Sequence, residues 1–302
     1  MAGQADSLKS ILFALFANTA IAVAKGVAAI ITGSGAMLAE AIHSVADAGN
    51  QLLLILGLRQ TKKAPTDDHP LGFGKSIYFW SFLVAVILFS VGGMFSLYEG
   101  THKLLHPEPL SYPWVAIAVL LFAIVAESIS LWGCLREVNK ERHGRSMFQW
   151  FRQSRSSALI VVFGEDIAAL LGLVFALAAI TATYVTGNPL WDALGTILIG
   201  VLLIVIAFFV AIEVKDLLIG QSVDPKTLAE MKTFLGQRSE IQEVFNLLTM
   251  QFGPDAMVAV KARMVPTGSE QNMIEAINRV EREFRTEFGI TTWLFFEPDL
   301  ED

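Results

Sequence analysis

Apolar runs about twenty residues long recur along this chain, separated by short polar or turn-forming breaks. About twenty helical residues cross a hydrocarbon core ~30 Å thick. The pattern therefore predicts membrane-spanning helices over residues 8–31, 36–59, 77–101, 112–136, 157–185 and 190–214. The breaks carry glycine and proline, the residues of turns: Thr32-Gly33-Ser34-Gly35, the stretch from Pro65 to Gly74, His106-Pro107-Glu108-Pro109 and Gly187-Asn188-Pro189. The connections after spans one and five are very short, so those pairs form tight helical hairpins. The opening apolar run is too long for a signal-peptide core and lacks a good cleavage site, so it reads as a retained first span.

From Gln221 the pattern becomes that of an ordinary soluble domain. Asp224-Pro225 supplies an N-cap and a first-turn proline for a helix ending near Gly236. Strand-like 241–251, a Gly253-Pro254-Asp255 turn, strand-like Met257–Val265, a helix across 270–287 and β-rich Ile290–Phe296 follow. The expected fold is thus a six-helix α-helical membrane domain over 1–220, followed by a cytosolic α+β ferredoxin-like domain over 221–302.

Composition agrees, with 54% hydrophobic and 17% charged residues against about 25% charged in a soluble domain. Twelve lysines and arginines flank the spans on one side and Lys103 stands alone on the other. Positive charge gathers on the cytoplasmic face, so both termini are expected there, in a multi-pass protein of the cell (inner) membrane. The basic connection 137–156 serves either orientation or contact with anionic headgroups. The net charge of −7 resides mostly in residues 221–302, where eight Lys/Arg face fourteen Asp/Glu; nucleic-acid binding is excluded on that ground. Cys134 is the only cysteine, which excludes an internal disulfide and a cysteine-built zinc cage.

A charge at the centre of a membrane helix costs at least about 2.5–3.5 kcal/mol, so such residues mark pathways. The second span holds Glu40, His43, Asp47 and Asn50 at offsets of 3, 4 and 3, which place them on one face. His43 and Asp47 can offer a nitrogen and an oxygen to one ion, a mixture that borderline divalent metals accept. In the fifth span Glu165 and Asp166 are adjacent carboxylates in apolar surroundings, which need a cation or a proton between them. Lys25 in the first span either pairs with an inner carboxylate or snorkels. Glu127 in the fourth span reads as a metal ligand, a proton site or a helix–helix hydrogen bond. Glu40 is a further candidate for a proton or secondary site. Glu99, Asp192 and Glu213 sit near predicted helix ends and are expected at the interface. Asp67, Asp68 and His69 either recruit a metal at the cytosolic mouth or form a turn capping the third helix. No HExxH or GxSxG motif supports a membrane metalloenzyme.

At this point the chain resembles the cation diffusion facilitator family. The resemblance rests on Asn18 and Lys25, Thr32-Gly33-Ser34, the segment from Ala39 to Asp47, the segment from Asp68 to Lys75, and Trp191-Asp192-Ala193. Within the family it is similar to the branch containing zinc transporter nine, through the Glu165-Asp166 pair. The resemblance implies a homodimer, joined through the C-terminal domain, that exports divalent metal, usually zinc, in exchange for protons. It implies no cofactor, since the metal is the transported substrate. It places the site between spans two and five, on His43, Asp47 and Asp166. Two departures stand out: Val162 occupies the position of a second span-five ligand, and Phe73 a position where several members carry histidine. Glu165, Glu127 or a water is then left to complete four-fold coordination. After His143 there is no histidine and after Cys134 no cysteine, so no tight zinc site is expected within 221–302.

Overall fold

A computed structural model describes residues 18–301. Among the described residues, five helices are long and apolar enough to cross a membrane: α2 (Gly35–Gln60), α3 (Ser76–Leu105), α4 (Pro113–Glu141), α6 (Ser157–Thr186) and α7 (Leu190–Ile219). The described part of the first expected span is the shorter apolar helix α1 (Asn18–Thr32); residues 8–17 of that span lie outside the described residues. A short helix, α5 (Met147–Gln153), precedes α6 and is started by a reciprocal cap between Ser146 and Gln149. Beyond α7 come α8 (Pro225–Gly236), β1 (Ile241–Phe252), β2 (Asp255–Met264), α9 (Glu270–Glu287) and β3 (Thr291–Pro298).

The chain divides into two compact units. The first gathers residues up to Leu56, Trp80–Gly144 and Ala158–Glu213. Its core is rich in small residues: Ala28, Ala36, Ala39, Ala116, Ala123, Ala168 and Ala176 are buried with Met37, Leu88, Leu120, Leu173 and Leu203. In lipid there is no hydrophobic drive between helices, so association depends on close packing, which small side chains permit. Glycines do this most fully between α3 and α7. A Cβ on Gly100 would stand 2.6 Å from Ile197 Cγ1, and one on Gly200 would stand 2.8 Å from the Leu97 nitrogen. Within α3, residues Leu88–Met94, which include the Gly92-Gly93 pair, widen into a π-helical segment. Such widened turns cluster at functional places in helices.

Asp192 stands in the first turn of α7, the helix-end position expected of it. It is buried, and its carboxylate accepts from Ser34 Oγ and from the backbone nitrogens of Gly35 (2.7 Å) and Ala36 (3.3 Å). The first turn of α2 is therefore capped by a residue from α7, beside the αα turn where Gly33 takes φ +65°. Lys103 completes this cluster, donating to the Gly33 carbonyl and standing 3.7 Å from Asp192. Glu213 is buried too, and α7 continues past it to Ile219.

The second unit comprises Gly57–Phe79, Arg145–Ser157 and the chain from Val214 onward. Asp224 caps α8 through Lys226 N at 3.1 Å, with Pro225 in the first turn, as its sequence predicts. The sheet has order β1-β2-β3, with β1–β2 antiparallel and β2–β3 parallel, so α9 serves as the crossover. Strand β2 alternates strictly, burying Ala256, Val258, Val260 and Ala262. These pack with Met231 and Leu235 of α8 and Ala276, Val280 and Phe284 of α9. The α+β layering expected from the sequence is present. The β1–β2 turn is held within this unit by Tyr78, whose hydroxyl accepts from Gly253 N at 2.8 Å, and by Lys75 over the Phe252 ring at 5.2 Å. Arg155 Nε donates to the Ser222 carbonyl at 2.6 Å.

Candidate metal centre

Glu40, His43 and Asn50 are fully buried on one face of α2, and Asp47 is half-buried on the same face. The helical repeat that puts them in line also brings His43 Nε2 to 3.5 Å from Asp47 Oδ2. On α6, Gly164 precedes the two carboxylates, and a Cβ there would stand 2.8 Å from Val210 Cγ2 of α7. The absence of a side chain lets α6 lie close to α7 and fixes which way Glu165 and Asp166 face.

Consecutive helical residues point about 100° apart, and the two acids accordingly take different partners. Glu165 Oε1 accepts from Asn50 Nδ2 of α2 at 2.6 Å. Asp166 Oδ1 accepts from Ser130 Oγ of α4 at 3.2 Å. A polar cavity of about 50 Å³ lies among these helices, lined by Asp47, Glu127, Glu165, Asp166, Ser44, Ser130 and Val162 with Asn18, Gln51 and Ala169. A water needs about 10–15 Å³ of such space, so the cavity has room for a metal ion together with a few waters.

The donors are under-satisfied. His43 Nδ1 and Nε2, Asp47 Oδ1, Asp166 Oδ2, Asn50 Oδ1 and Glu40 Oε1 are all buried without a hydrogen-bond partner. Buried polar atoms are ordinarily paired, since an unsatisfied one costs about 1–3 kcal/mol. Here they gather around carboxylates whose one close ammonium among the described residues, Lys25, is engaged by Glu40 (3.1 Å) and Ser44 (2.7 Å). That pairing is the inner-carboxylate alternative foreseen for Lys25. The negative side chains and free nitrogens fit a divalent cation or protons. Among the described residues, no three His, Cys, Asp or Glu side chains stand close enough to share one ion in this conformation. Asp47, Asp166, Glu165 and Glu127 share the cavity wall, while His43 reaches it through Asp47.

Val162 also lies in the wall, one turn before Asp166, where a second ligand on α6 would stand. Asp68 and His69 belong to the other unit. There the chain closes a turn, His69 N donating to the Thr66 carbonyl at 3.0 Å, and the exposed imidazole stacks on Phe73 with centroids 4.5 Å apart. Asn50 is the polar partner that sequence reasoning placed on the face but gave no role. Its signal was the spacing of 3 from Asp47, and its link to Glu165 spans 115 positions.

The family model for the cation efflux transmembrane domain matches residues 11–219. The proton-coupled zinc antiporter SLC30A9, mitochondrial, of Xenopus laevis is 35% identical over 226 residues, covering 74% of this chain and 40% of that protein. Its Homo sapiens counterpart is 32% identical over 247 residues, covering 81% and 44%. The manganese efflux system protein MneP of Bacillus subtilis (strain 168) is 24% identical over 261 residues, covering 84% and 83%. The chain spans less than half the length of the two SLC30A9 proteins. A multi-pass helical unit matched over most of its length by that model, with buried acids and a histidine on facing helices, leaves the assignment plain: the chain belongs to the cation efflux family.

Proposed function

We propose that the chain is a carrier that moves a divalent metal ion, zinc foremost, across its membrane in exchange for protons. The observation that carries this reading is the group of buried donor atoms of His43, Asp47 and Asp166 without hydrogen-bond partners, beside a polar cavity large enough for an ion on membrane-spanning helices. Drawing these side chains together around an ion would satisfy the carboxylate oxygens and one imidazole nitrogen of His43 at once. Glu165, also in the wall, is the additional carboxylate, with Glu127 and water as the other donors available. Ligands must be deprotonated to hold a metal, so one set of groups can bind metal on one side and protons on the other as the helices rock. The names of the Xenopus and human relatives, proton-coupled zinc antiporters, support zinc and protons as the exchanged ions.

A second reading, manganese as substrate, is favoured by one relative's name and by a donor set with a single nitrogen among oxygens. The positive-inside asymmetry supports placing the α2–α3 and α4–α6 connections and the C-terminal domain on the cytosolic or matrix face.

The C-terminal sheet supports a homodimer. One face packs on α8 and α9; on the other, register sets Leu248 beside Ala259 beside Phe295, and Met250 beside Met257 beside Trp293. Leu248 is 62% and Phe295 55% exposed. An apolar patch on an otherwise charged domain fits a second copy of itself.

The test is transport by reconstituted protein carrying His43→Ala, Asp47→Ala or Asp166→Ala. Each is expected to abolish uptake of zinc while leaving insertion intact. Wild-type uptake by any two would place the site elsewhere, and competition among zinc, manganese, iron, cobalt and cadmium identifies the preferred ion.

A further inference from the structure

Lys25 is a lysine with 0% exposure inside a membrane unit. Its ammonium donates to Ser44 Oγ at 2.7 Å and to Glu40 Oε2 at 3.1 Å. Ser44 lines the ion cavity, so the ammonium stands directly behind the cavity wall. Glu40 lies one helical turn nearer the α1–α2 hairpin than Ser44. Its other oxygen, Oε1, is buried and has no hydrogen-bond partner. That oxygen rests against the bare backbone of Gly172 on α6, where a Cβ would collide with it.

A purely structural ion pair in a membrane interior is stable only when its remaining lone pairs are satisfied. This one leaves a carboxylate oxygen open, and it shares a wall with the cavity through a single hydroxyl. We infer that Lys25 is a tethered cation that closes the ion cavity toward the α1–α2 hairpin, and that a departing divalent ion replaces it on Glu40. The inference rests on the carrier reading above and adds a second station to it. Charge dictates the exchange. An ammonium and a divalent ion repel each other when both sit on Glu40, and the carboxylates of the cavity lose their counter-ion as the metal leaves. A lysine on its flexible four-carbon stem can pass from Glu40, by way of Ser44, to Asp47 while the ion takes Glu40. No bond is made or broken, and neither carboxylate group is left without a cation.

The experiment uses the full chain in proteoliposomes and compares wild type with Lys25→Met and the uncharged pair Lys25→Met/Glu40→Gln. Zinc leak is measured without a pH gradient, alongside uptake driven by one. Removal of the tether is expected to raise leak at least tenfold in Lys25→Met while zinc affinity at the cavity is retained, and loss of the Glu40 station in the double variant is expected to slow driven uptake at least tenfold. Wild-type leak together with wild-type driven uptake in the double variant would show that the pair only holds the helices together. Where the uncharged variants fail to assemble, Lys25→Arg decides. Its planar, less mobile fork predicts slower driven uptake with unchanged leak, and wild-type uptake would overturn the inference. Loss of zinc binding is the mark of His43→Ala, not of these variants, so failure of the gate and failure of the carrier reading remain distinct.

Discussion

Glu165 and Asp166 are neighbours in sequence yet are held by different helices, one through Asn50 of α2 and the other through Ser130 of α4. Glu165 therefore reaches the cavity with one oxygen committed, and Val162 adds nothing to the donor set from the position below Asp166. Glu165→Gln should weaken zinc affinity by roughly 10–100-fold, the usual loss for a ligand-orienting partner or a peripheral ligand. Val162→His should restore part of it in the double variant, because it places an imidazole at i−4 from Asp166. Calorimetric zinc titration of the purified variants checks both. A change in the pH dependence of uptake with no change in affinity would instead make Glu165 a proton site. The polar face of α2 was legible from residue spacing alone, because offsets of 3 and 4 leave one geometry. The partners were not. Asn50 with Glu165 and Lys25 with Glu40 are pairings across 115 and 15 positions, which no local pattern contains.

At the scale of elements, the starts of the long helices follow from hydropathy and from the glycines and prolines before them. By contrast, α3, α4 and α7 run on past the expected 101, 136 and 214 to Leu105, Glu141 and Ile219, because polar residues beyond an apolar run can continue a helix. α2 is the exception in how it begins. Its cap is the carboxylate of Asp192, 157 positions away from Gly35, so a residue judged by its place near the end of its own helix is in fact buried against another. Asp192→Ala would remove three acceptor contacts and leave Lys103 with the Gly33 carbonyl alone among its described partners. A loss of about 2–3 kcal/mol is expected from charged hydrogen bonds of this kind. A lowered melting temperature in detergent is the measurement, and an unchanged one would mean that Asp192 is not what fixes the α1–α2 turn. The π-helical segment of α3 had a sequence signal in Gly92-Gly93, but two glycines in an apolar run predict weak helix, not a particular widening.

For the whole molecule, composition and the change of pattern at Gln221 were sufficient to foresee a membrane-helical part and an α+β part, because bilayer and water select opposite surfaces. The open sheet face emerges only from register, which aligns Leu248 with Ala259 and Phe295. On the proposed homodimer, Leu248→Glu/Phe295→Glu should leave a monomer in light-scattering measurements of the purified protein; a dimer that persists would move the interface elsewhere, and a monomeric wild type would contradict the proposal. The central claim is that one set of side chains binds metal and proton in turn. Its most direct test is proton flux in proteoliposomes on addition of zinc. Wild-type protein should move protons against the zinc flow, and His43→Ala should move neither. Zinc movement without proton movement, or equal flux through both proteins, would contradict the account.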